Sequence, residues 1–375
     1  MDKIEKYMEE LMEKSTPDRP VWNIEKILAG KKSTWDYIDG CMIKAIMEMY
    51  AITKDEKYFA FADAFIDAKV FEDGSIEGYK VEEKNIDNVN AGKTLFELYD
   101  LTGKEKYRKA IDLIYSQIKD MPRTEAGNFW HKNIYPNQVW LDGMYMGQPF
   151  YMEYETRFNN KKNYEDIYNQ FKNVIETMRD PKTGLYYHAY DSSREMFWCD
   201  KVTGLSQNFW LRALGWYSMA LLDTLDKADK SEEKICTLLK DAFVDLMDAM
   251  LKYQDESGMW YQVVNFGGMD RNYLETSGSS IMAYALLKGV RLGYLPAEYA
   301  QYGKKAFDGV CEKYLTTDEK GDLHLDGICL VAGLGGAAHR PGTYDYYMSE
   351  PIVKDDAKGV GPFLLAYTEM RRAGF

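Results

Sequence analysis

The sequence is short of the residues that hold metals and disulfides. Its four histidines lie far apart, with no i, i+4 pair and no neighbouring cysteine, so they make no metal signature. The five cysteines, Cys41, Cys199, Cys236, Cys311 and Cys329, are odd in number and without a CxxC pair. That fits free thiols in a reducing compartment better than a disulfide scaffold. Positive charge is also short: the net charge is −13, and no basic stripe exists to hold nucleic acid. No run is long and apolar enough to cross a membrane. The opening MDKIEKYMEELMEKSTPDRP mixes charge with apolar positions and lacks the apolar centre of a signal peptide, so a cytoplasmic protein is expected. A serine elbow, a phosphate loop and a dinucleotide fingerprint are missing. GLGGAAH at Gly333 follows no convincing strand and opens no helix, and reads as a flexible loop over a rim. Linkers rich in Pro, Gly or Ser are absent, so residues 1–375 read as one domain.

What is present is helical period, almost throughout. STWDYIDGCMIKAIMEMYAITKDEKYFAFADAFID reads as two amphipathic helices joined at ITKDEKY, and IDNVNAGKTLFELYDLTGKEKYRKAIDLIYSQI repeats the arrangement around LTGKEKY. Three further pairs follow, and a last helix, KGVGPFLLAYTEMRR, is left to pair with the first, around Ile4 to Met12. In each pair the first helix is rich in small and aromatic residues and belongs inside, while the second is more charged and belongs outside. Six inner and six outer helices suit an all-α (α/α)6 toroid or an open solenoid. Segments opening on a glycine and rich in aromatic and polar residues favour the toroid: GNFWHK, GLYYHAY, GMWYQVV and GDLHLDG would converge on one mouth, bringing His131, His188 and His324 with them.

A polar residue recurs near the start of the inner helices: Asp39, Asp87, Asp142, Arg212 and Glu275. Asp142 is conspicuous, a lone carboxylate in NQVWLDGMYMGQPF. Three readings stand for it: a helix cap, an ion pair with a buried arginine, or an acid/base at the bottom of a cleft. Five such residues converging on one axis would be costly unless they met each other or a polar ligand. With 30 Tyr and 8 Trp available, a sugar is a plausible ligand, although large helical proteins also pack with such rings.

Together, GNFWHKNIYPNQVWLDGMYMGQPF, GLYYHAYD, FWLRALGWY, GMWYQVV and TYDYYMSEP closely resemble glycoside hydrolase family 105, the unsaturated rhamnogalacturonyl hydrolases. The likeness runs in order from about Trp35 to the last helix. It implies an (α/α)6 toroid, no metal or organic cofactor, and an unsaturated oligosaccharide as substrate. The reaction implied is removal of a 4,5-unsaturated galacturonosyl residue from the non-reducing end of rhamnogalacturonan fragments. Carried onto this chain, Asp142 protonates C4 of the vinyl ether and activates the water that adds at C5, with Asp87 assisting. His131, Lys132, Asn133, Ile134, Tyr135, Arg212 and Trp216 match substrate-contacting positions, and Arg212 or Lys132 would meet the substrate carboxylate. His188 and Trp210 would line the cleft, Asp39 and Gly40 would contact substrate at the first inner helix, and Gly333 would do so from the late loop. That loop, VAGLGGAAHRPGTYDYY, looks long for the family and puts the part of His339 in question. Alternatives stay open: an unsaturated glucuronyl hydrolase or a histidine-dependent sugar epimerase on the same toroid, or a helical-repeat scaffold that binds a partner.

Overall fold

The structure is a computed structural model that describes residues 3–375. Its helices are α1 (Lys3–Glu13), α2 (Ile24–Leu28), α3 (Tyr37–Thr53), α4 (Glu56–Asp67), α5 (Lys93–Thr102), α6 (Glu105–Lys119) and α7 (Leu141–Phe158). They continue with α8 (Tyr164–Met178), α9 (Leu211–Lys227), α10 (Glu233–Leu251), α11 (Thr276–Arg291), α12 (Tyr299–Tyr314), α13 (Tyr344–Ser349) and α14 (Ala357–Ala373). The (α/α)6 toroid is what forms. Helices α3, α5, α7, α9, α11 and α14 make the inner ring, with the segment that leads into α5 packed between α3 and α7, and α14 returns to α3 to close it. Residues on every face of α9, α11 and α14 are buried, as inner positions require. The outer α6 instead buries Tyr107, Ala110, Ile111, Ile114 and Ile118 at helical spacing. At the closure, a Cβ on Gly361 of α14 would lie 2.5 Å from the Cys41 carbonyl oxygen of α3, so only glycine permits the approach.

The two turns expected between helices are built alike. Thr53 and Thr102 each donate a hydroxyl to the carbonyl four residues back, and each accepts the backbone N–H two residues on. Lys54 and Gly103 then take the left-handed conformation that ends a helix. One inner segment departs from expectation. The run Ile86–Gly92 is a 3-10 helix ahead of α5, not a continuation of it. Its sequence, IDNVNAG, is poor in helix formers, and Asn90 hydrogen-bonds the Tyr37 carbonyl of the neighbouring helix.

The N-terminal ends of all six inner segments face one mouth, and a belt of hydrogen bonds runs round it. A backbone N–H at the start of each inner segment is left without an intrahelical acceptor. In each case it donates to a carbonyl in the loop that follows the outer helix of the same pair. The bonds are Trp35 to Glu77 (3.2 Å), Ile86 to His131 (3.2 Å), Leu141 to His188 (3.1 Å), Leu211 to Gln262 (3.0 Å) and Thr276 to Gly327 (2.9 Å). The sixth, Ala357 to Trp22 at 2.9 Å, joins the last inner helix to the loop after α1. Three small antiparallel ladders were not foreseen. They are β1 (Gln138–Trp140) with β2 (Ala189–Asp191), β3 (Leu315–Thr317) with β4 (Leu323–Leu325), and β5 (Ile328–Cys329) with β6 (Ile352–Val353). No described helix is long and apolar enough to span a membrane.

Candidate active site

A cavity of about 250 Å³ opens at the mouth. Its lining includes Asp87, His131, Lys132, Tyr135, Trp140, Asp142, Trp210, Arg212, Trp216 and Gly333. The belt explains how residues so far apart arrive together. Because the backbone carbonyls of His131 and His188 are tied to the starts of neighbouring inner segments, their side chains are held at the mouth. Pairing of β1 with β2 sets Trp140 opposite Ala189, and so places His188 beside Asp142.

Asp142 lies in the first turn of α7 but caps nothing, since the N-cap is Trp140 and no side-chain cap bond forms. Nor does any described Lys or Arg pair with it. Its neighbour is His188, whose Nε2 lies 3.2 Å from Oδ2 without the alignment of a hydrogen bond. His188 shares a 2.7 Å hydrogen bond between Nδ1 and the buried Tyr347 hydroxyl, which orients the ring. Of the first two readings for Asp142, neither survives.

The other lining carboxylates are engaged. Asp87 meets Lys132 Nζ at 2.7 Å and His131 Nε2 at 3.5 Å. Burial works against its charge, but these two neighbours hold it well below the usual carboxylate range. Glu25 meets Lys358 at 2.7 Å, and that ammonium holds it low in spite of burial. Lys132 is therefore committed to Asp87.

Two guanidinium groups are not committed to a carboxylate. Arg212 is 1% exposed, and donates to the carbonyls of Cys329 (2.5 Å) and Leu330 (3.3 Å) and to Ser277 Oγ (3.3 Å). Arg340 donates weakly to the Tyr135 hydroxyl, at 3.4 Å. Among the described residues neither forms an ion pair, in a chain where most buried charges do. Flat rings complete the wall. His131 stacks on Trp140 at 4.6 Å, and Tyr135 stacks on Trp140 at 5.3 Å.

Several expected contacts lie elsewhere. Asp39 is fully buried in an ion pair with Lys69 at 2.6 Å, away from the cavity. Gly40 permits helix contact instead, since its Cβ would lie 2.6 Å from Asn90 Nδ2. Ile134 is 73% exposed, and neither it nor Asn133 lines the cavity. Glu275 caps α11 through the N–H groups of Ser277 and Gly278. His324 leaves the mouth for Asp355, at 2.5 Å. His339 packs near Phe197, 5.2 Å between rings, while its neighbour Arg340 turns back to the cavity. Residues missed from the sequence are Glu25, Tyr37, Arg340, Lys358 and Tyr347. One signal was available: Lys358 occupies in the sixth inner helix the early polar position noted in the other five. Among the described residues, no group of three His, Cys, Asp or Glu side chains is placed to hold a metal ion.

Known proteins resemble this chain in sequence and in fold. The sequence model described as Glycosyl Hydrolase Family 88 matches residues 3–373. A solved glycoside hydrolase from family 105 of C. acetobutylicum ATCC 824 superposes with a TM-score of 0.91 at 44% identity, covering 99% of this chain and 100% of that one. Protein Atu3128 of Agrobacterium fabrum is 40% identical over 230 residues, 60% of this chain and 97% of its own. The unsaturated rhamnogalacturonyl hydrolase YesR of Bacillus subtilis is 26% identical over 284 residues, 74% of this chain and 76% of its own.

Proposed function

From the premise that the chain belongs to glycosyl hydrolase family 88 and to glycoside hydrolase family 105, we propose that it removes a 4,5-unsaturated galacturonosyl residue from rhamnogalacturonan oligosaccharides. The observation that carries the reading is Asp142. Among the described residues it is the one lining carboxylate free of a Lys or Arg partner. Ordinary glycosidases need two carboxyl groups astride the bond, one as acid and one as base or nucleophile. One free carboxyl suits a different reaction, hydration of the vinyl ether in an unsaturated uronate. Asp142 gives its proton to C4, then takes one from the water that adds at C5. The resulting hemiketal opens and expels the aglycone.

The surroundings support each part of this. Arg212 and Arg340 are available to the substrate carboxylate, Arg offering paired N–H donors to it. The Tyr135–Trp140 stack offers a flat face to a sugar ring. Asp87, held ionised, is unsuited to be the acid and fits an accepting role at the reacting ring. The name of the Bacillus relative favours a rhamnogalacturonyl substrate.

The test is to follow the ultraviolet band of the conjugated double bond when the protein meets an unsaturated rhamnogalacturonan disaccharide, beside an unsaturated glucuronyl disaccharide. Loss of the band with the first, faster than with the second, is expected. No loss with the galacturonyl substrate, or faster loss with the glucuronyl one, would overturn the substrate.

A further inference from the structure

The barrel has a second cavity, of about 190 Å³, at the opposite end. It is lined from α3, α7, α9 and α11 beyond their first turns and from Lys93, Thr94 and Glu97 of α5, and the first cavity from the starts of inner segments and the loops around them. Between them lies one stacked ring pair. Trp216 faces the mouth cavity and Tyr145 the second, with centroids 5.1 Å apart and planes within 4°. By the roughly 30 Å³ that a water occupies in the liquid, the space holds about six waters, or a triose-sized molecule.

Most of the charge in this cavity is paired. Lys44 meets Glu48 at 2.6 Å, Lys227 meets Glu153 at 2.9 Å, and Lys288 meets Asp223 at 2.8 Å and Asp226 at 2.9 Å. Two groups remain, Lys93 and Glu97, four apart on one face of α5 and both in the lining. Among the described residues neither has an ion-pair partner. The placement of Lys93 has a local cause. Pro149 has no N–H to give the carbonyl of Tyr145 four residues back, so that carbonyl accepts from Lys93 Nζ instead, at 2.6 Å. The amine also sits over the Tyr145 ring, 3.3 Å from its centroid. One acceptor cannot satisfy the three N–H groups of an ammonium, but it does fix a neutral amine with its lone pair free.

We propose that this cavity is a binding site for a small uncharged aldehyde, held as a Schiff base on Lys93 with Glu97 as the proton donor. The amine lone pair adds to the carbonyl carbon, and a proton passes from nitrogen to oxygen to give a carbinolamine. The Glu97 carboxyl protonates that hydroxyl, which leaves as water while the C=N bond forms. The product is an iminium cation beside the Glu97 carboxylate, so charge and atoms balance. An anionic ligand is not expected, because each other lysine in the lining is already neutralised by a carboxylate.

The protonation states agree. Burial pulls the Lys93 ammonium down to about 7, against the opposing effect of Asp223 and Cys41. Burial also pushes Glu97 above the usual carboxylate range, with Glu48 and Glu153 adding to it and Lys44 and Lys227 opposing. Lys44 adds to the lowering of Lys93 from α3, Tyr145 faces the amine from α7, and Lys288 and Asp226 line the cavity from α11 and α9.

The experiment incubates the whole protein with D-glyceraldehyde and cyanoborohydride across a pH series, then maps reduced adducts by mass spectrometry. A parallel arm uses glyoxylate. The expected result is preferential labelling of Lys93 by glyceraldehyde, at a rate half-maximal near pH 7, with glyoxylate slower by about tenfold. A Lys93→Met variant should lose that adduct alone, and Glu97→Gln should slow it. Labelling confined to surface lysines would overturn the proposal. So would a Lys93 rate that rises only at the alkaline pH of an ordinary lysine, and equal labelling by glyoxylate would overturn the uncharged class. Mapping in the unaltered protein decides the matter even if a variant fails to fold.

Discussion

On the proposed reading Asp142 carries the chemistry of the mouth and Arg340 its recognition, and their substitutions should separate in the kinetics. Asp142→Asn should cut turnover of the unsaturated disaccharide by about a thousandfold or more, within the range of a lost general acid/base. Its thermal unfolding should be unchanged, since Asp142 caps no helix and pairs with no cation. Turnover within about tenfold of the parent would sink the assignment. Arg340→Ala should raise KM about tenfold, or about 1.4 kcal/mol, with kcat little changed. A lowered kcat at constant KM would contradict a binding role. Arg212→Ala is a poorer probe than its sequence position suggested, because the guanidinium also ties down the Cys329 and Leu330 carbonyls. Asp142 was legible as a lone carboxylate in an apolar run, His131 from its glycine-led loop, and Trp216 as the residue one turn beyond Arg212 on the same face. Arg340 was not, because only the paired left-handed glycines Gly335 and Gly336 turn it back to the cavity, and no local pattern states where such a loop ends.

At the scale of the element, the short hairpin after each outer helix carries the design. Gly258 has φ +90°, and a Cβ there would lie 2.3 Å from the Lys305 carbonyl oxygen on α12. Gly127 has φ +95° but nothing within 4 Å. Gly127→Ala should therefore cost only the backbone term, about 1–2 kcal/mol, and Gly258→Ala distinctly more, about 3 kcal/mol or above. Urea unfolding of the two variants decides it, and equal losses would show that the carbonyl moves aside freely. The paired helices were readable because an apolar stripe of period 3.6 persists over three or four turns. Ladders of two or three residues are too short to show alternation, and none was foreseen. The 3-10 run at Ile86–Gly92 was read as helix because its apolar spacing is right even though its residues are poor helix formers.

The whole molecule is a closed ring, and its stability depends on charges that seal it. Arg371 and Tyr367 of α14 reach Glu5 of α1, and Tyr7 donates to Asp355 at 2.6 Å. Across the barrel, Lys44 and Arg372 hold Glu48 well below the usual range despite its burial, as Lys132 holds Asp87. A carboxyl depressed in the folded state stabilises it above the unfolded value, near 4, and stops doing so as pH falls further. The urea midpoint should then fall steeply below about pH 4, where the unfolded chain takes up protons that Glu48 and Asp87 refuse. A midpoint constant down to pH 3 would contradict it. Ring closure was legible from a first and last helix that each lacked a partner; the belt was not, because it is made of backbone groups that no side-chain pattern encodes. The common direction of the six inner segments has an effect on rate. Each aligned set of peptide dipoles ends in about half a positive charge, and these ends encircle one opening of a chain whose net charge is −13. An anionic sugar is thus drawn in by a near field while the far field repels it. Added salt screens the far field first and should raise kcat/KM, whereas capture governed by the helix ends alone would make salt lower it.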